Sequence, residues 1–168
     1  MEFQRIVEKS RRLVQRYKTR DPFEIARELG IHVRFSKEFT TLKGMYVIIM
    51  GNRFIIVNGK LDEQTLKLVV AHEIGHDRLH RELAKKSAIS DLSLYKKDCR
   101  PEYEANLFAA ELLIDTDALL ELIYDGYECE EAAKILETDV NLLSLKIAAL
   151  KYQGIDLREQ EYNSKFLK

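Results

Sequence analysis

Residues 62–81 read DEQTLKLVVAHEIGHDRLHR, and they form the most informative segment of the chain. Its periodicity predicts a long helix that is apolar on most sides, with a narrow polar strip near Lys67 and Arg78. Such a helix is typical of a protein interior. His72 and His76 are one turn apart, so they lie on the same face, among leucine and valine side chains. Two buried histidines need partners.

Glu73 follows the first histidine directly and completes the pattern His-Glu-x-x-His. Histidines four residues apart on a helix have their Cβ atoms about 6 Å apart, so both rings can bind one tetrahedral zinc ion. The neighbouring glutamate can then take a proton from a zinc-activated water molecule. A hydrogen-bonded pair of core histidines is the alternative.

A catalytic zinc ion takes a third protein ligand. On a regular helix, Glu82 points away from the histidine pair and His80 lies a full turn beyond it. We therefore expect His80 to hydrogen-bond a ligand histidine or to have a structural role. Cys99 is a further candidate as ligand or nucleophile, although no histidine accompanies it at zinc-finger spacing.

Glu102, at the start of the next substantial helix, is the favoured third ligand. It shares a helix face with Asn106 and several small residues, which would let two helices approach closely. Asn106 is placed to hydrogen-bond a ligand histidine. Glu104 and Glu111 point to the opposite side, so we predict that both are solvated charges.

The rest of the chain predicts an α+β fold, in which a small twisted β-sheet packs on the His-Glu-x-x-His helix and the Glu102 helix. We divide it into a zincin-like domain, 1–125, and a helical, helix-turn-helix-like extension packed on it, 126–168. Residues 82–100 are polar and irregular and are predicted to be a mobile loop. The other predicted elements are helices at 2–17, 22–30, 102–114, 116–124, 130–137 and 141–152, and strands at 31–35, 44–50 and 53–57, the last two joined by a hairpin at Gly51-Asn52.

Composition excludes several classes of partner. The net charge of −1 over 168 residues gives no global field for nucleic acid or a membrane surface. The sequence shows no signal peptide and no apolar stretch that could span a bilayer, and two cysteines form no disulfide framework. These features predict a cytoplasmic protein.

The segment HEIGH, followed nearly thirty residues later by EYEANLFAAELL (102–113), resembles the ImmA/IrrE family of metallopeptidases. The resemblance covers about residues 20–125 and includes the hairpin before the His-Glu-x-x-His helix. By the family pattern ExxANxFAAELL, the third zinc ligand falls on Glu102, as the helix faces also indicate. Asp77 replaces a usual apolar residue, and Asp115 stands where a proline is common.

The resemblance implies a gluzincin-like fold with Zn²⁺ as cofactor and the substrate along an edge strand. It also implies a partner, because short members of the family, encoded on phages and integrative elements, cleave or antagonise a DNA-binding repressor. The chain has no room for the sensory domain of the longer members and resembles the short type.

The predicted function is therefore zinc-dependent endoproteolysis of a helix-turn-helix repressor. One alternative is a non-cleaving regulator that binds and antagonises a repressor, and another is a DNA-binding regulator that uses its C-terminal helices. Glu73 favours cleavage, because a structural zinc site needs no general base. Acidic residues before the last helix weigh against direct DNA binding, for which Asn141 and Lys146 would be the contacts. Tyr46, Tyr103 and His80 are candidates to stabilise the oxyanion.

Overall fold

The computed structural model describes residues 2–85, 89–91, 100–155 and 157. The predicted α+β class is confirmed. The chain divides into two units, 1–113 and 114–168. The boundary at 125/126 that we expected between the zincin-like domain and the helical extension stays a prediction. The elements in chain order are α1 (Glu2–Tyr17), α2 (Pro22–Glu28), β1 (His32–Ser36), β2 (Gly44–Ile49), β3 (Asn52–Asn58), α3 (Glu63–Leu79), α4 (Arg81–Ala84), β4 (Ile89–Asp91), α5 (Arg100–Leu113), α6 (Thr116–Tyr124), α7 (Cys129–Ile135) and α8 (Val140–Tyr152).

The first unit is built around α3. The sheet has the strand order β1-β3-β2-β4, in which β1 is parallel to β3 while β2 is antiparallel to both β3 and β4. α3 packs against β2 and β3, against α2 and against α5, and α5 is covered in turn by α1. Every side chain of α3 from Leu68 to Asp77 is buried, as its apolar periodicity predicts. The helix that carries both histidines is thus held from several directions.

Two local details differ from the sequence-based expectation. The β2–β3 turn is centred on Met50 and Gly51, which have φ angles of 50° and 80°, one residue earlier than the expected Gly51-Asn52. Two consecutive positive φ angles are typical of the tight hairpin turn whose twist matches that of the strands, and the pairing of Ile49 with Asn52 closes it. The prediction of an irregular segment at 82–100 is wrong for α4 and β4; positions 86–88 and 92–99 lie outside the described residues.

The second unit consists of α6, α7 and α8. Asp115 caps α6 by accepting hydrogen bonds from the backbone N–H groups of Asp117 and Ala118. Of the two proposed DNA contacts on α8, Asn141 is exposed and Lys146 is buried. A buried lysine offers no charge to a phosphate backbone, so Lys146 gives no support to direct DNA binding. Among the described residues, no helix has both the length and the hydrophobicity that a membrane crossing requires.

Candidate metal centre

The site lies where α3 and α5 pass each other at close range. Gly75, between the two histidines, faces Ala105: a Cβ atom built on Gly75 would lie 3.0 Å from Ala105 Cα and 3.1 Å from its carbonyl oxygen. The small-residue face expected on α5 therefore meets a glycine on α3. This close approach brings the start of α5 next to the histidine pair.

Three side chains converge at this crossing. His72 Nε2 lies 3.0 Å from His76 Nε2, and the Glu102 oxygens lie 3.2 Å from His72 Nε2 and 3.4 Å from His76 Nε2. Zinc–nitrogen and zinc–oxygen bonds of about 2.0–2.1 Å in a tetrahedron separate the ligand atoms by about 3.3 Å. The three residues expected as ligands thus come together at spacings that fit a zinc ion, and two imidazoles with a carboxylate are a donor set that zinc accepts.

Hydrogen bonds orient both rings towards this point. His72 Nδ1 lies 2.8 Å from Asn106 Oδ1, and His76 Nδ1 lies 3.1 Å from His80 Nδ1. A metal-binding histidine usually has its second ring nitrogen fixed in this way, which leaves the other for the metal. Asn106 and His80, the two residues expected to contact ligand histidines, are therefore both found beside them.

The protonation states suit a cation. Burial lowers the pKa of His76 to about 4, so its ring is neutral at pH 7 and can bind a metal ion. Burial opposes ionisation of Glu102, but hydrogen bonds from His72 and His76 outweigh it and hold the pKa of this carboxyl well below its usual range. The cluster presents a neutral His76 imidazole and an ionised Glu102 carboxylate at neutral pH.

Glu73 is fully buried beside the histidines. It faces the start of β2, where a Cβ atom on Gly44 would lie 3.1 Å from Glu73 Oε1 and would also collide with Val69. Glycine at position 44 therefore leaves room for the carboxylate. The geometry places a carboxylate, from the residue next to a potential ligand, between the helix and the sheet.

Comparison with known proteins shows the family of the chain. Residues 23–145 match the model of a peptidase family described as the IrrE N-terminal-like domain. The chain belongs to the ImmA/IrrE family. It is also 34% identical over 103 residues to the "uncharacterized immunity region protein 2" of Bacillus phage phi105, over 61% of this chain and 64% of the relative. The chain thus spans less than two thirds of that relative's length. No solved structure matches it.

Two glutamates of the family motif segment are not the solvated charges that we predicted. The Glu104 side chain is 14% exposed, lies 2.9 Å from His80 Nε2 and accepts a hydrogen bond from Arg100 at 2.8 Å. The Glu111 side chain is fully buried, and Arg11 of α1 lies 3.8 Å from it. Helix periodicity on α5 alone assigned both glutamates to solvent, because it contains no information about partners on α1 or at the end of α3.

Asp77, the departure from the family pattern, was the residue that sequence reasoning undervalued. Its side chain is fully buried, and it accepts hydrogen bonds from Tyr46 at 2.6 Å, from Arg53 at 3.1 Å and from Arg81 at 2.9 Å. Arg53 also donates to the carbonyl oxygen of Leu29 at the end of α2. Asp77 therefore joins α3 to β2, β3 and α4. The signal was present in the sequence as an acidic residue on an otherwise apolar side of the helix.

The remaining candidates are less well placed for chemistry. The Tyr46 hydroxyl donates to Asp77, and Tyr103 is 46% exposed. His80 contacts His76 and Glu104 through its two ring nitrogens. Cys99, considered as a ligand or nucleophile, lies outside the described residues.

Proposed function

We propose that this protein is a zinc-dependent endopeptidase that cleaves a DNA-binding regulator of the repressor type. The observation that carries the proposal is the convergence of His72, His76 and Glu102 at zinc-like spacings next to the buried carboxylate of Glu73. Membership of a peptidase family supports peptide hydrolysis. The phage relative's name refers to an immunity region, which supports a regulatory protein as the substrate.

In this proposal His72, His76 and Glu102 hold the zinc ion and leave a fourth position open. When bound, zinc polarises the scissile carbonyl and lowers the pKa of a water molecule to about 7. The Glu73 carboxylate accepts the proton of the attacking water as its oxygen bonds to the carbonyl carbon. Glu73 then delivers that proton to the amide nitrogen as the carbon–nitrogen bond breaks, which gives a carboxylic acid and an amine. At neutral pH the acid passes its remaining proton to the amine, so the products leave as a carboxylate and an ammonium group.

The test removes proton transfer by Glu73 and leaves the three expected zinc ligands unchanged. Glu73→Gln keeps the size of the side chain but cannot accept a proton, and we expect cleavage to fall by about 10²–10⁴-fold while bound zinc stays near one per chain. The protein is co-expressed with a helix-turn-helix repressor from its own genome, and the repressor's length is followed by immunoblot. Glu63→Gln is the matched control, because this glutamate lies on the same helix, exposed and paired with Lys67.

Wild type and Glu63→Gln should yield repressor fragments, and Glu73→Gln should leave the repressor intact. If wild type and Glu73→Gln relieve repression equally and neither produces fragments, the protein acts by binding alone.

A further inference from the structure

Glu104 is joined to the metal cluster by a chain of hydrogen bonds. Its Oε2 atom lies 2.9 Å from His80 Nε2, and His80 Nδ1 lies 3.1 Å from Nδ1 of the expected ligand His76. Arg100, which is exposed, contacts the other oxygen of Glu104 at 2.8 Å. We call the hydrogen-bonded chain of side chains His76–His80–Glu104 the His80 relay.

The backbone places His80 beside both His76 and Glu104. α3 ends at Leu79, and His80 takes φ −125° and ψ 22°, outside the helical region, before α4 begins. His80 lies one turn beyond His76, just as His76 lies one turn beyond His72, and its ring centroid is 5.2 Å from that of His76. The side chain is largely buried, with Glu104 of α5 at its other ring nitrogen.

The proton positions in the relay follow from its two ends. Glu104 is a carboxylate at neutral pH and can only accept, so His80 must carry its proton on Nε2. A neutral His80 then has an unprotonated Nδ1, which accepts a hydrogen bond from His76. His76 therefore carries its proton on Nδ1, and the lone pair of its Nε2 points to His72 and Glu102.

We propose that Glu104 is a positioning residue for the metal site: acting through His80, it fixes the ring orientation and the tautomer in which His76 binds zinc. The inference rests on the proposed zinc site but does not depend on proteolysis. His72 is supported differently, because its Nδ1 contacts the neutral amide of Asn106. His76 has the Glu104 carboxylate behind it through His80, and a carboxylate in this position makes the ring a stronger zinc donor.

The test measures zinc affinity and omits the peptidase assay. Zinc dissociation constants are obtained by competition with a chelator at pH 7 for wild type, Glu104→Ala, His80→Phe and the double variant. We expect each single substitution to weaken zinc binding about 10–100-fold. Because Glu104 acts through His80, the double variant should bind zinc as His80→Phe does. Additive losses would overturn the relay, and so would unchanged affinity in Glu104→Ala.

Two controls separate this result from other causes. Glu82→Ala removes a glutamate two positions from His80 that is exposed and paired with Lys85, and it should leave zinc affinity unchanged. If Glu104→Ala does not fold, Glu104→Gln replaces it in the cycle, with a smaller expected loss because its amide oxygen still accepts a hydrogen bond. His72→Ala should abolish zinc binding; if it does not, the zinc site itself is wrong, whereas additivity alone contradicts only the relay.

A second readout observes the tautomers directly. In the zinc-loaded protein, nitrogen-15 NMR of the imidazoles should show His80 protonated on Nε2 and His76 protonated on Nδ1. A proton on Nδ1 of His80 would overturn the proposal whatever the affinities are.

Discussion

Neighbouring positions of α3 carry two buried polar clusters that differ in how they balance charge. His72, His76 and Glu102 turn two imidazole nitrogens and a carboxylate towards one point, all of them able to donate lone pairs to a metal ion. Asp77, the next residue along the helix, is surrounded by donors from Tyr46, Arg53 and Arg81. The side chains of the first cluster supply electron-pair donors for a cation, whereas the carboxylate of the second is paired with two arginines of the chain itself.

The difference indicates two tasks. A cluster that needs a cation can change its state with metal supply, whereas a cluster that pairs its own charges has no such dependence. We therefore expect the first cluster to bind a metal ion and the second cluster to hold α3 against the sheet. Three measurements test whether the two clusters have these separate roles.

The largest expected effect is the dependence of stability on zinc. Free zinc at about 1,000 times its dissociation constant should add about 4 kcal/mol to the free energy of unfolding of the wild type, measured by urea denaturation against a chelated sample. His72→Ala should lose this increment, and Asp77→Asn should keep it. A zinc increment that disappears in Asp77→Asn would show that the two clusters are not separate.

The second effect concerns the self-paired cluster. Asp77→Asn keeps the side-chain volume and removes the charge. Its partners Arg53 and Arg81 are already partly exposed, so water can still solvate their charges. We expect the free energy of unfolding to fall by about 2–3 kcal/mol, and by the same amount with and without zinc. This loss is smaller than the one expected when a fully buried charge loses its partner. Asp125→Asn, an exposed position after α6, is the control and should change stability little. Loss of stability only in the zinc-loaded protein would contradict this role.

The smallest effect has a pH signature. Tyr46→Phe removes one hydrogen bond to Asp77 and should cost about 1 kcal/mol at pH 7. Burial, and then the contact with Asp77, raise the pKa of the Tyr46 phenol, so the folded state favours the protonated form. Its contribution is complete below the unfolded pKa of about 10 and is lost as pH rises above it. The advantage of wild type over Tyr46→Phe should therefore shrink in alkaline denaturation series, and a constant difference would contradict this assignment.

Periodicity predicted the parts of the site that depend on one helix at a time. The spacing of His72 and His76 predicted their common face, and small residues on α5 predicted its close approach to α3. Glu102 was selected because it shares that face. These inferences needed only the geometry of a regular helix.

What periodicity missed depends on partners from other elements. Glu104 of α5 contacts His80 at the end of α3, and the faces of α5 alone contain no information about this partner. Glu111 is buried by α1, and Asp77 by an arginine from β3 and a tyrosine from β2. A charged residue reads as exposed in a sequence unless its partner is known, and these partners are between 24 and 100 positions away.

Gly75 determines how closely α3 and α5 can approach at the metal centre. The two backbones come this close because position 75 carries no methyl group, since a Cβ atom there would lie 3.0 Å from Ala105 Cα. Glu102 and Asn106 both depend on that clearance, because they lie on either side of Ala105 on α5. Metal–ligand bonds tolerate changes of only about 0.2 Å. The fit of an ion is thus governed by a residue that never touches it, and a larger residue at position 75 would change the spacing of the donor atoms without removing any of them.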